Sequence, residues 1–388
     1  MTIFQLHKNA SDCGARRGIL DLPHAQGIPT PVFMPVGTQG TVKAMTFPEV
    51  EELGFRLILG NTFHLYLRPG DERVRRFGGL HKFIGWDGAM LTDSGGYQVF
   101  SLKDLRTITE EGVRFRSPLD GSYHDFTPER VMEIEHNLGA DIIMAFDECP
   151  PYPATWEYVE ASMERTHRWL RRCIDAHERL GGDTSGSILF GIVQGSTYDD
   201  LRRRSAEYVG SQPLAGIAIG GVSVGEPQLE MRRVLDVTLP FIPTDRPRYL
   251  MGVGTPTDIL DSVMAGIDMF DCVLPTRMAR NGTLFTSQGR VHIGNARWTD
   301  ESGPIDPDCS CQVCRRHSAA YLRHLHQTKE ILYSRLATYH NLAFYARLME
   351  QIRASIENDT FLEFRRSCLS RWHGSPDDAV DRGGDVAD

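Results

Sequence analysis

The sequence contains no apolar run that approaches the ~20 residues needed to span a bilayer. Its first residues, MTIFQLHKNASDCGARRG, lack the basic start and apolar stretch of a secretory signal. Basic residues are not in excess either, since the formal net charge is −9. These absences predict a soluble cytoplasmic protein with no membrane partner. Taken alone, the acidic balance also argues against nucleic acid as a partner.

Cysteine is scarce, and three of the eight cysteines, Cys309, Cys311 and Cys314, lie within the six residues CSCQVC. A disulfide is a poor interpretation, because the first two are too close to pair easily and the predicted compartment is reducing. The spacing favours a zinc site, which needs a fourth ligand. Four histidines follow and spacing does not choose among them: His317, His324, His326 and His340. With four protein ligands the ion would be structural.

The acidic balance hides a local reversal of charge. Residues 277–372 carry a net charge of +5, residues 1–276 carry −10, and the last 16 residues carry −4. A basic region on an acidic body is able to meet phosphate, although a solvated charged face is the plainer interpretation.

Short apolar runs recur along the chain, and each ends in glycine or a polar residue. Their length and composition are typical of strands that are buried on both faces. The runs are PVFMPVG (31–37), FRLILGN (55–61), AMLTDSGG (89–96), DIIMAFDE (141–148), ILFGIVQG (188–195), LAGIAIGG (214–221), RYLMGVG (248–254) and IDMFDCVL (267–274). Helix-like stretches alternate with them, so the sequence predicts a (β/α)₈ barrel, with a doubly wound open sheet as the alternative.

Start signals support the helices between these runs. Thr127, Thr197 and Thr255 are predicted to open helices, and residues 156–180 have helical periodicity. Two segments interrupt the alternation and read as inserted hairpins, at 113–126 and 283–293.

The length of 388 residues fits one large barrel domain with an appendage, or two domains. We expect residues 1–280 to form the catalytic barrel with an N-terminal extension. Residues 281–372 are expected to form a zinc-binding subdomain with closing helices. The polar, acidic residues 373–388 are expected to be a disordered tail.

Barrel enzymes place their sites at the carboxyl ends of the strands. Here those ends carry Asp93, Asp147 and Asp271, together with Gln194. Three carboxyl groups in one mouth suggest divided roles in nucleophilic attack, proton transfer and substrate binding. Each aspartate taken singly is as well explained by a helix cap or a turn.

Glycine pairs and arginines accompany these aspartates. Gly95-Gly96 and Gly220-Gly221 allow a flat ligand to approach the backbone closely, and Tyr97 is placed to stack on a ring. Arg277 and Arg280, just after Asp271, suit phosphate or base-edge contacts, although surface ion pairs would explain them too.

Several motifs together resemble the bacterial tRNA-guanine transglycosylase family, also called queuine tRNA-ribosyltransferases. They occur in order over most of the chain: TDSGGYQVFSL (92–102), FDECPPYP (146–153), GIVQG (191–195), GGVSVGE (220–226), YLMGVGTP (249–256), FDCVLPTRMARNG (270–282), CSCQVCRRH (309–317) and YHNL (339–342). The resemblance implies a zinc-bearing (β/α)₈ barrel. It also implies exchange of guanine at the tRNA wobble position for 7-aminomethyl-7-deazaguanine, a precursor of queuosine.

The resemblance assigns roles to individual residues. Asp271 would be the nucleophile and Asp93 the general acid and base. The substrate-binding residues would be Asp93, Ser94, Gly95, Gly96, Tyr97, Asp147, Gln194, Gly221, Val222 and Met251. RNA would meet Gly252, Val253, Gly254, Thr255, Pro256, Thr257, Asp258, Thr276, Arg277, Met278, Ala279 and Arg280. The zinc ligands would be Cys309, Cys311, Cys314 and His340.

Two positions bear on the choice of base. Many relatives carry leucine in place of Val222, and we expect little effect because that contact is largely through the backbone. Relatives that accept the bulkier queuine carry glycine in place of Val224, so the sequence predicts the precursor as substrate. The resemblance further implies a homodimer and a tRNA with a U-G-U anticodon-loop sequence. The rival functions are a nucleoside hydrolase-like barrel enzyme and a non-enzymatic zinc RNA-binding protein.

Overall fold

The computed structural model describes residues 3–102 and 105–372. Strands divide into three small antiparallel sheets and one large parallel sheet. In chain order they are β1 (Phe4–Asn9), β2 (Arg16–Leu22), β3 (Ala25–Thr30), β4 (Val32–Pro35), β5 (Leu57–Asn61), β6 (Ala89–Asp93), β7 (Arg106–Ile108), β8 (Val113–Arg116), β9 (Tyr123–Phe126), β10 (Ile142–Met144), β11 (Ile188–Val193), β12 (Gly216–Ile219), β13 (Arg248–Leu250), β14 (Met269–Cys272), β15 (Thr283–Thr286) and β16 (Gly289–His292).

Helices follow most of the parallel strands and also build the C-terminal part of the chain. They are α1 (Phe47–Glu52), α2 (Thr62–Leu67), α3 (Asp71–Arg76), α4 (Leu80–Ile84), α5 (Gly96–Ser101), α6 (Pro128–Leu138), α7 (Trp156–Arg179), α8 (Asp199–Gly210), α9 (Gln228–Thr238), α10 (Pro256–Ala265), α11 (Leu274–Arg280), α12 (Gln312–Arg316), α13 (Ala319–Gln327), α14 (Ile331–Glu357) and α15 (Phe361–Trp372). No helix in these ranges combines the length and the apolarity needed to cross a membrane.

The large sheet is a parallel barrel of eight strands. Their spatial order is β4, β14, β13, β12, β11, β10, β6 and β5. The ends of this series meet, because Val36 forms a parallel bridge to Leu59 and the Gly37 N–H donates to the Leu59 carbonyl at 2.6 Å. All eight predicted strands are confirmed, and the alternative of an open doubly wound sheet is wrong.

Burial on both faces explains why these strands read as continuous apolar runs. Every residue of β5, β6 and β11 is buried. Close packing also limits the size of some side chains. A Cβ on Gly216 would lie only 2.2 Å from the ring of Phe190 on the neighbouring strand, so glycine is required there. The predicted pattern therefore reflects a barrel whose inside is filled and whose outside is covered by helices.

Two of the three threonines predicted to open helices are confirmed as N-caps. The side chains of Thr127 and Thr255 each accept a hydrogen bond from the backbone N–H three residues later, and proline follows each of them. The helix predicted at 156–180 is also present and is capped by Thr155.

The helix predicted to open at Thr197, DDLRRRSAEYVG, is confirmed as α8, but Thr197 is not its N-cap. The residue that precedes α8 as its N-cap is Tyr198. The chain turns sharply at Gly195 and Ser196, just before this helix, and both residues have positive φ angles.

Both predicted insertions are present. The segment 113–126 forms β8 and β9, but β7 pairs with β8 to make a third strand that the sequence analysis missed. The segment 283–293 forms the hairpin of β15 and β16. The strand β7 was missed because it has only three residues, which is too short to show the alternation typical of a strand.

The N-terminal extension is a three-stranded sheet that covers the amino ends of the barrel strands. Its apolar residues pack in one cluster with residues at those ends, including Leu57, Ala89, Ile142 and Ile188. The buried guanidinium of Arg16 also donates to the buried Asp268 carboxylate, with an Nη2–Oδ2 distance of 2.6 Å. The opposite end of the barrel therefore remains as the accessible mouth.

The C-terminal region packs back onto the barrel through α14, which contacts α11, β15 and β4. The Asn341 side chain joins these elements. Its Oδ1 accepts from the Phe285 N–H at 3.0 Å, and its Nδ2 donates to the carbonyls of Pro275 and Thr283. The predicted tail at 373–388 lies outside the described residues.

Candidate active site and metal centre

The predicted site aspartates all lie buried at the carboxyl ends of barrel strands. Asp93 ends β6, Asp271 lies in β14, and Asp147 follows β10. Each is at most 9% exposed. Burial raises the pKa values of Asp147 and Asp271, and the charge of the neighbouring Asp93 raises both further. The structure therefore brings the three carboxyl groups together in one mouth.

Asp271 has an asymmetric environment. Its Oδ1 accepts the Tyr249 hydroxyl at 2.6 Å and the Gly252 N–H at 2.8 Å. Among the described residues, no hydrogen bond falls on its Oδ2. Burial raises the pKa of Asp271 to about 6, although the two donors act in the opposite direction. One carboxylate oxygen is thus fixed and the other is left for a ligand.

Asp93 is held by four donors. Its Oδ1 accepts the N–H groups of Thr62 at 2.9 Å and Gly95 at 3.2 Å. Its Oδ2 accepts from the Asn61 side chain and from Gln98 Nε2 at 3.1 Å. Burial still raises the pKa of Asp93 above its usual value. A carboxyl group that is both held in place and easier to protonate suits proton transfer.

Asp147 and Gln194 form a pair. Gln194 Nε2 donates to Asp147 Oδ2 at 2.6 Å, and Ser94 Oγ donates to Asp147 Oδ1 at 3.1 Å. Burial raises the pKa of Asp147 to about 6. The Gln194 Oε1 is buried without a hydrogen-bond partner among the described residues. These groups make a polar wall on one side of the mouth.

The predicted glycines lie against this wall. A Cβ on Gly96 would be 2.8 Å from the Asp147 carboxylate, and a Cβ on Gly221 (φ 64°) would be 2.3 Å from Gln194 Oε1. No other residue fits at either position without a shift of these groups. Val222 is buried as well, whereas Tyr97 is 56% exposed and Met251 is partly exposed.

Sequence reasoning missed three residues of this site: Asn61, Gln98 and Tyr249. Asn61 ends β5 and pairs in register with Asp93, so inspection of every strand end would have found it. Tyr249 lies within a buried strand, two residues before Met251, and nothing in its sequence context signals a hydrogen bond to Asp271.

The predicted RNA-contacting segments follow β13 and β14 and flank the same mouth. Several of these residues are buried, so their side chains cannot contact RNA. The buried members are Val253, Gly254, Pro256, Thr276 and Ala279. Gly252 and Arg277 are exposed, and the remaining members are partly exposed, Arg280 among them.

The predicted metal ligands also converge. The Sγ atoms of Cys309, Cys311 and Cys314 and a ring nitrogen of His340 all lie within 4.8 Å of one another. His340 Nδ1 is 3.3 Å from Cys314 Sγ, while its Nε2 donates to the Phe285 carbonyl at 2.8 Å. This second bond fixes the tautomer and leaves Nδ1 for a metal.

The group therefore can hold a metal ion, and the donor set fits zinc. Four ligands about 2.0–2.3 Å from a tetrahedral zinc are separated by about 3.3–3.8 Å. The structure also decides among the histidines, because His317, His324 and His326 do not belong to the group. None of the eight cysteines forms a disulfide.

A second group, His24, His81 and Asp141, lies at the covered end of the barrel. Each Asp141 oxygen already accepts one imidazole and one backbone N–H, at 2.8–3.0 Å. The two rings stack at 3.8 Å with an interplanar angle of 14°, so their ring nitrogens do not converge on one point. This group ties the N-terminal sheet to the barrel.

The closed parallel barrel and its three buried mouth carboxyl groups define an enzyme of the (β/α)₈ class. A family model described as queuine tRNA-ribosyltransferase matches residues 11–374. The chain is 56% identical over 372 residues to the queuine tRNA-ribosyltransferase of Caldanaerobacter subterraneus subsp. tengcongensis, covering 96% of this chain and 98% of that one. The chain belongs to the queuine tRNA-ribosyltransferase family.

Other relatives of the same name agree over similar lengths. The protein of Pelotomaculum thermopropionicum is 56% identical over 361 residues, covering 93% of this chain and 96% of that one. The protein of Symbiobacterium thermophilum is 55% identical over 359 residues, covering 92% of this chain and 88% of that one. Such coverage includes both the barrel mouth and the metal-binding group.

The first prediction concerns the metal-binding group. Cys314→Ser should remove most of the bound metal and lower the unfolding temperature. Only two thiolates and one imidazole would remain as ligands, and three ligands bind the ion more weakly than four. Metal per chain is measured by mass spectrometry of the elements, and unfolding by calorimetry. Cys368→Ser, at a buried cysteine outside the group, is the control and should keep the metal. Full metal content in Cys314→Ser would contradict the assignment.

Proposed function

We propose that this protein replaces guanine at the wobble position of tRNA with 7-aminomethyl-7-deazaguanine, through a covalent intermediate on Asp271. The observation that carries the proposal is the set of three buried carboxyl groups in one mouth, each with its own donors. Family membership supports the substrate class, since the relatives are named queuine tRNA-ribosyltransferases. The steps below assign a role to each group.

Asp271 is the nucleophile of the proposal. Oδ1 is held by Tyr249 and Gly252, which leaves Oδ2 to attack C1′ of the ribose. The new bond joins Oδ2 to C1′, and the bond from C1′ to N9 of guanine breaks with its electron pair on the base. This yields a ribosyl ester, and a second displacement at C1′ restores the original configuration. The phosphodiester chain is never cut.

Asp93 carries the protons of the proposal. In its protonated form it donates to the departing guanine, and as the carboxylate it then accepts the N9 proton of the incoming base. The raised pKa favours the first step, and the four donors around Asp93 stabilise the ionised form needed for the second. One residue thus serves both half-reactions.

The wall formed by Asp147 and Gln194 is proposed to bind the base edge. Ionised Asp147 accepts from the guanine N1–H and N2–H₂ donors, while the Gln194 amide or the Gly221 N–H serves the O6 acceptor. Ser94, Gly95 and Gly96 line the adjoining turn, and Val222 contributes mainly backbone. Tyr97 and Met251, both accessible, sandwich the ring and offset part of the cost of unstacking it.

The RNA surface is proposed to comprise the accessible residues of 252–258 and 276–280. A cavity of about 640 Å³ extends it, since Thr255, Asp258 and Met278 line that cavity together with Arg290 of the second hairpin. Exposed Arg277 and partly exposed Arg280 supply positive charge for phosphate contacts. Recognition of a U-G-U anticodon-loop sequence belongs to this surface in the proposal.

Asp271→Ala should abolish incorporation of radiolabelled guanine into a U-G-U tRNA while tRNA binding is retained. The physical reason is that alanine lacks the carboxylate oxygen that forms the proposed ester. A nucleoside hydrolase would release free base without incorporation, and a non-enzymatic RNA-binding protein would do neither. Normal exchange by Asp271→Ala would contradict the assignment of the nucleophile.

The second kinetic prediction concerns pH. Asp271 must be ionised to attack, and its folded-state pKa of about 6 is raised from an ordinary 3.8. The exchange rate should therefore fall as the pH decreases through about 6. Tyr249→Phe removes a donor that stabilises the ionised form, so the rising limb of the profile should move to higher pH. At pH 6 we expect roughly a ten-fold loss of rate.

The control for this profile is Tyr208→Phe, whose hydroxyl donates to the His167 carbonyl on the outer helices. It should leave the profile in place. If the profile of Tyr249→Phe is unchanged, the hydrogen bond from Tyr249 does not determine the pKa that governs the exchange rate.

The precursor is proposed as the preferred base, although the relatives' name refers to queuine. Val224 is partly buried and its N–H donates to Glu226 Oε2 at 2.9 Å, which holds the loop beyond Gly221 in place. Val224→Gly should increase incorporation of queuine relative to the precursor, measured as competing exchange rates. Faster incorporation of queuine by the unmodified protein would refute the preference.

The metal is proposed to be zinc in a structural role, and the active form is proposed to be a homodimer. The zinc-binding subdomain would contribute to the dimer contact, since the accessible side chains of Tyr321, Ile331 and Leu332 lie on α13 and α14. Sedimentation at micromolar concentration should give twice the 43.6 kDa chain mass. A monomeric mass would count against the dimer.

A further inference from the structure

A buried cation lies behind the proposed base-binding wall. Arg202 on α8 is 0% exposed. Buried cations normally pair with carboxylates. All four hydrogen bonds of this guanidinium within the described residues go instead to backbone carbonyl oxygens.

Those carbonyls belong to two loops of the mouth. At the end of β11 and in the loop that follows it, Arg202 Nη1 donates to the Val193 carbonyl at 3.2 Å and Nε donates to the Ser196 carbonyl at 2.6 Å. After β12, Nη1 donates to the Gly220 carbonyl at 2.8 Å and Nη2 to the Gly221 carbonyl at 3.1 Å. One side chain therefore joins the loop that carries Gln194 to the loop that carries the Gly-Gly turn.

These bonds orient peptide planes. In a trans peptide the C=O and the N–H point in opposite directions. With the Gly220 carbonyl turned toward Arg202, the Gly221 N–H must point away from it, and the same holds for the Val222 N–H. The turn needs this external support, because Gly221 has a positive φ and its neighbour Gly220 has no side chain to restrict it.

The peptide group that joins Val193 to Gln194 is held by two side chains of α8. Its carbonyl, on Val193, accepts from Arg202, and its N–H donates to Ser205 Oγ at 3.0 Å. This fixes the point from which the Gln194 amide reaches Asp147.

We propose that Arg202 is a positioning residue for the exchanged base, which it serves by holding Gln194 and the Gly221 N–H in one geometry. The inference rests on the proposed function and adds a specificity determinant that touches no substrate atom. The planar fork of arginine is required, because its three nitrogens reach four carbonyls in two loops, whereas the three N–H donors of a lysine ammonium all lie on one nitrogen. The cationic form strengthens each bond to a carbonyl in this dry setting.

The test compares Arg202→Lys with Arg204→Lys. Arg204 lies on the same helix, is partly exposed and pairs with Glu160 and Glu164 at the surface. Calorimetry measures binding of 7-aminomethyl-7-deazaguanine to the free enzyme, and gel mobility measures binding of tRNA. Initial rates give KM for the base and kcat.

In Arg202→Lys the Kd and the KM for the base should rise roughly ten-fold or more, as expected when one or two hydrogen bonds to the base are misaligned. Affinity for tRNA should fall much less than affinity for the free base, because most of the proposed RNA surface is built from other loops and only the wobble guanine meets this wall. Arg204→Lys should match the unmodified protein. If Arg202→Lys does not fold, Arg202→Gln is measured in its place.

Unchanged base affinity in the folded variant would overturn the inference. A parallel loss of base affinity, tRNA affinity and unfolding temperature would overturn it as well, since that pattern marks general damage. Failure of the unmodified protein to bind the base or exchange guanine would instead refute the proposed function.

Discussion

Desolvation of carboxyl groups governs the chemistry of the barrel mouth. Eight parallel strands end at one mouth, so side chains at their carboxyl ends meet in a small, largely dry volume. A buried carboxylate is costly unless donors surround it. Asp93, Asp147 and Asp271 are each surrounded by a separate set of donors, and burial nevertheless raises the pKa of all three.

Differences among these donor sets divide the roles. Asp93 is held on both oxygens, which suits a group that must keep its place while it gains and loses a proton. Asp271 is held on one oxygen, which leaves the other for attack. Asp147 accepts from an amide and a hydroxyl, and so forms part of the wall that is proposed to bind the edge of a base. The proposed chemistry follows from these contacts.

The metal-binding group supports the mouth from a distance. His340 and Asn341 are adjacent on α14: the first belongs to the Cys₃His group, and the second bonds to Pro275 at the start of α11 and to the second hairpin. A metal ion bound by this group would therefore stabilise the packing of the helix and hairpin that flank β14. It takes no part in the proposed bond changes.

Much of this was predictable from sequence, for physical reasons. Strands buried on both faces give continuous apolar runs, and this identified all eight barrel strands. The rule that barrel sites lie at strand ends identified Asp93, Asp147 and Asp271. The fourth metal ligand was not predictable from spacing, since only the fold brings a residue from a distant helix to the cysteines.

Other features were not accessible to sequence reasoning. The N-cap of α8 was assigned to Thr197, whereas the structure has Tyr198 at that position, after the backbone turn at Ser196. Tyr249 and Arg202 act through buried hydrogen bonds that leave no pattern in the sequence. The partner of Tyr249 is a carboxylate on the neighbouring strand, and the partners of Arg202 are four backbone carbonyls. Only the assembled barrel reveals these contacts.

The central claim is that Asp271 becomes covalently attached to the ribose. The direct measurement is peptide mapping by mass spectrometry after the protein is mixed with a U-G-U tRNA hairpin, without added base, and then denatured. We expect one RNA-linked peptide, which contains Asp271, and none in Asp271→Asn. Attachment at Asp93, or guanine exchange without any RNA-linked peptide, would contradict it.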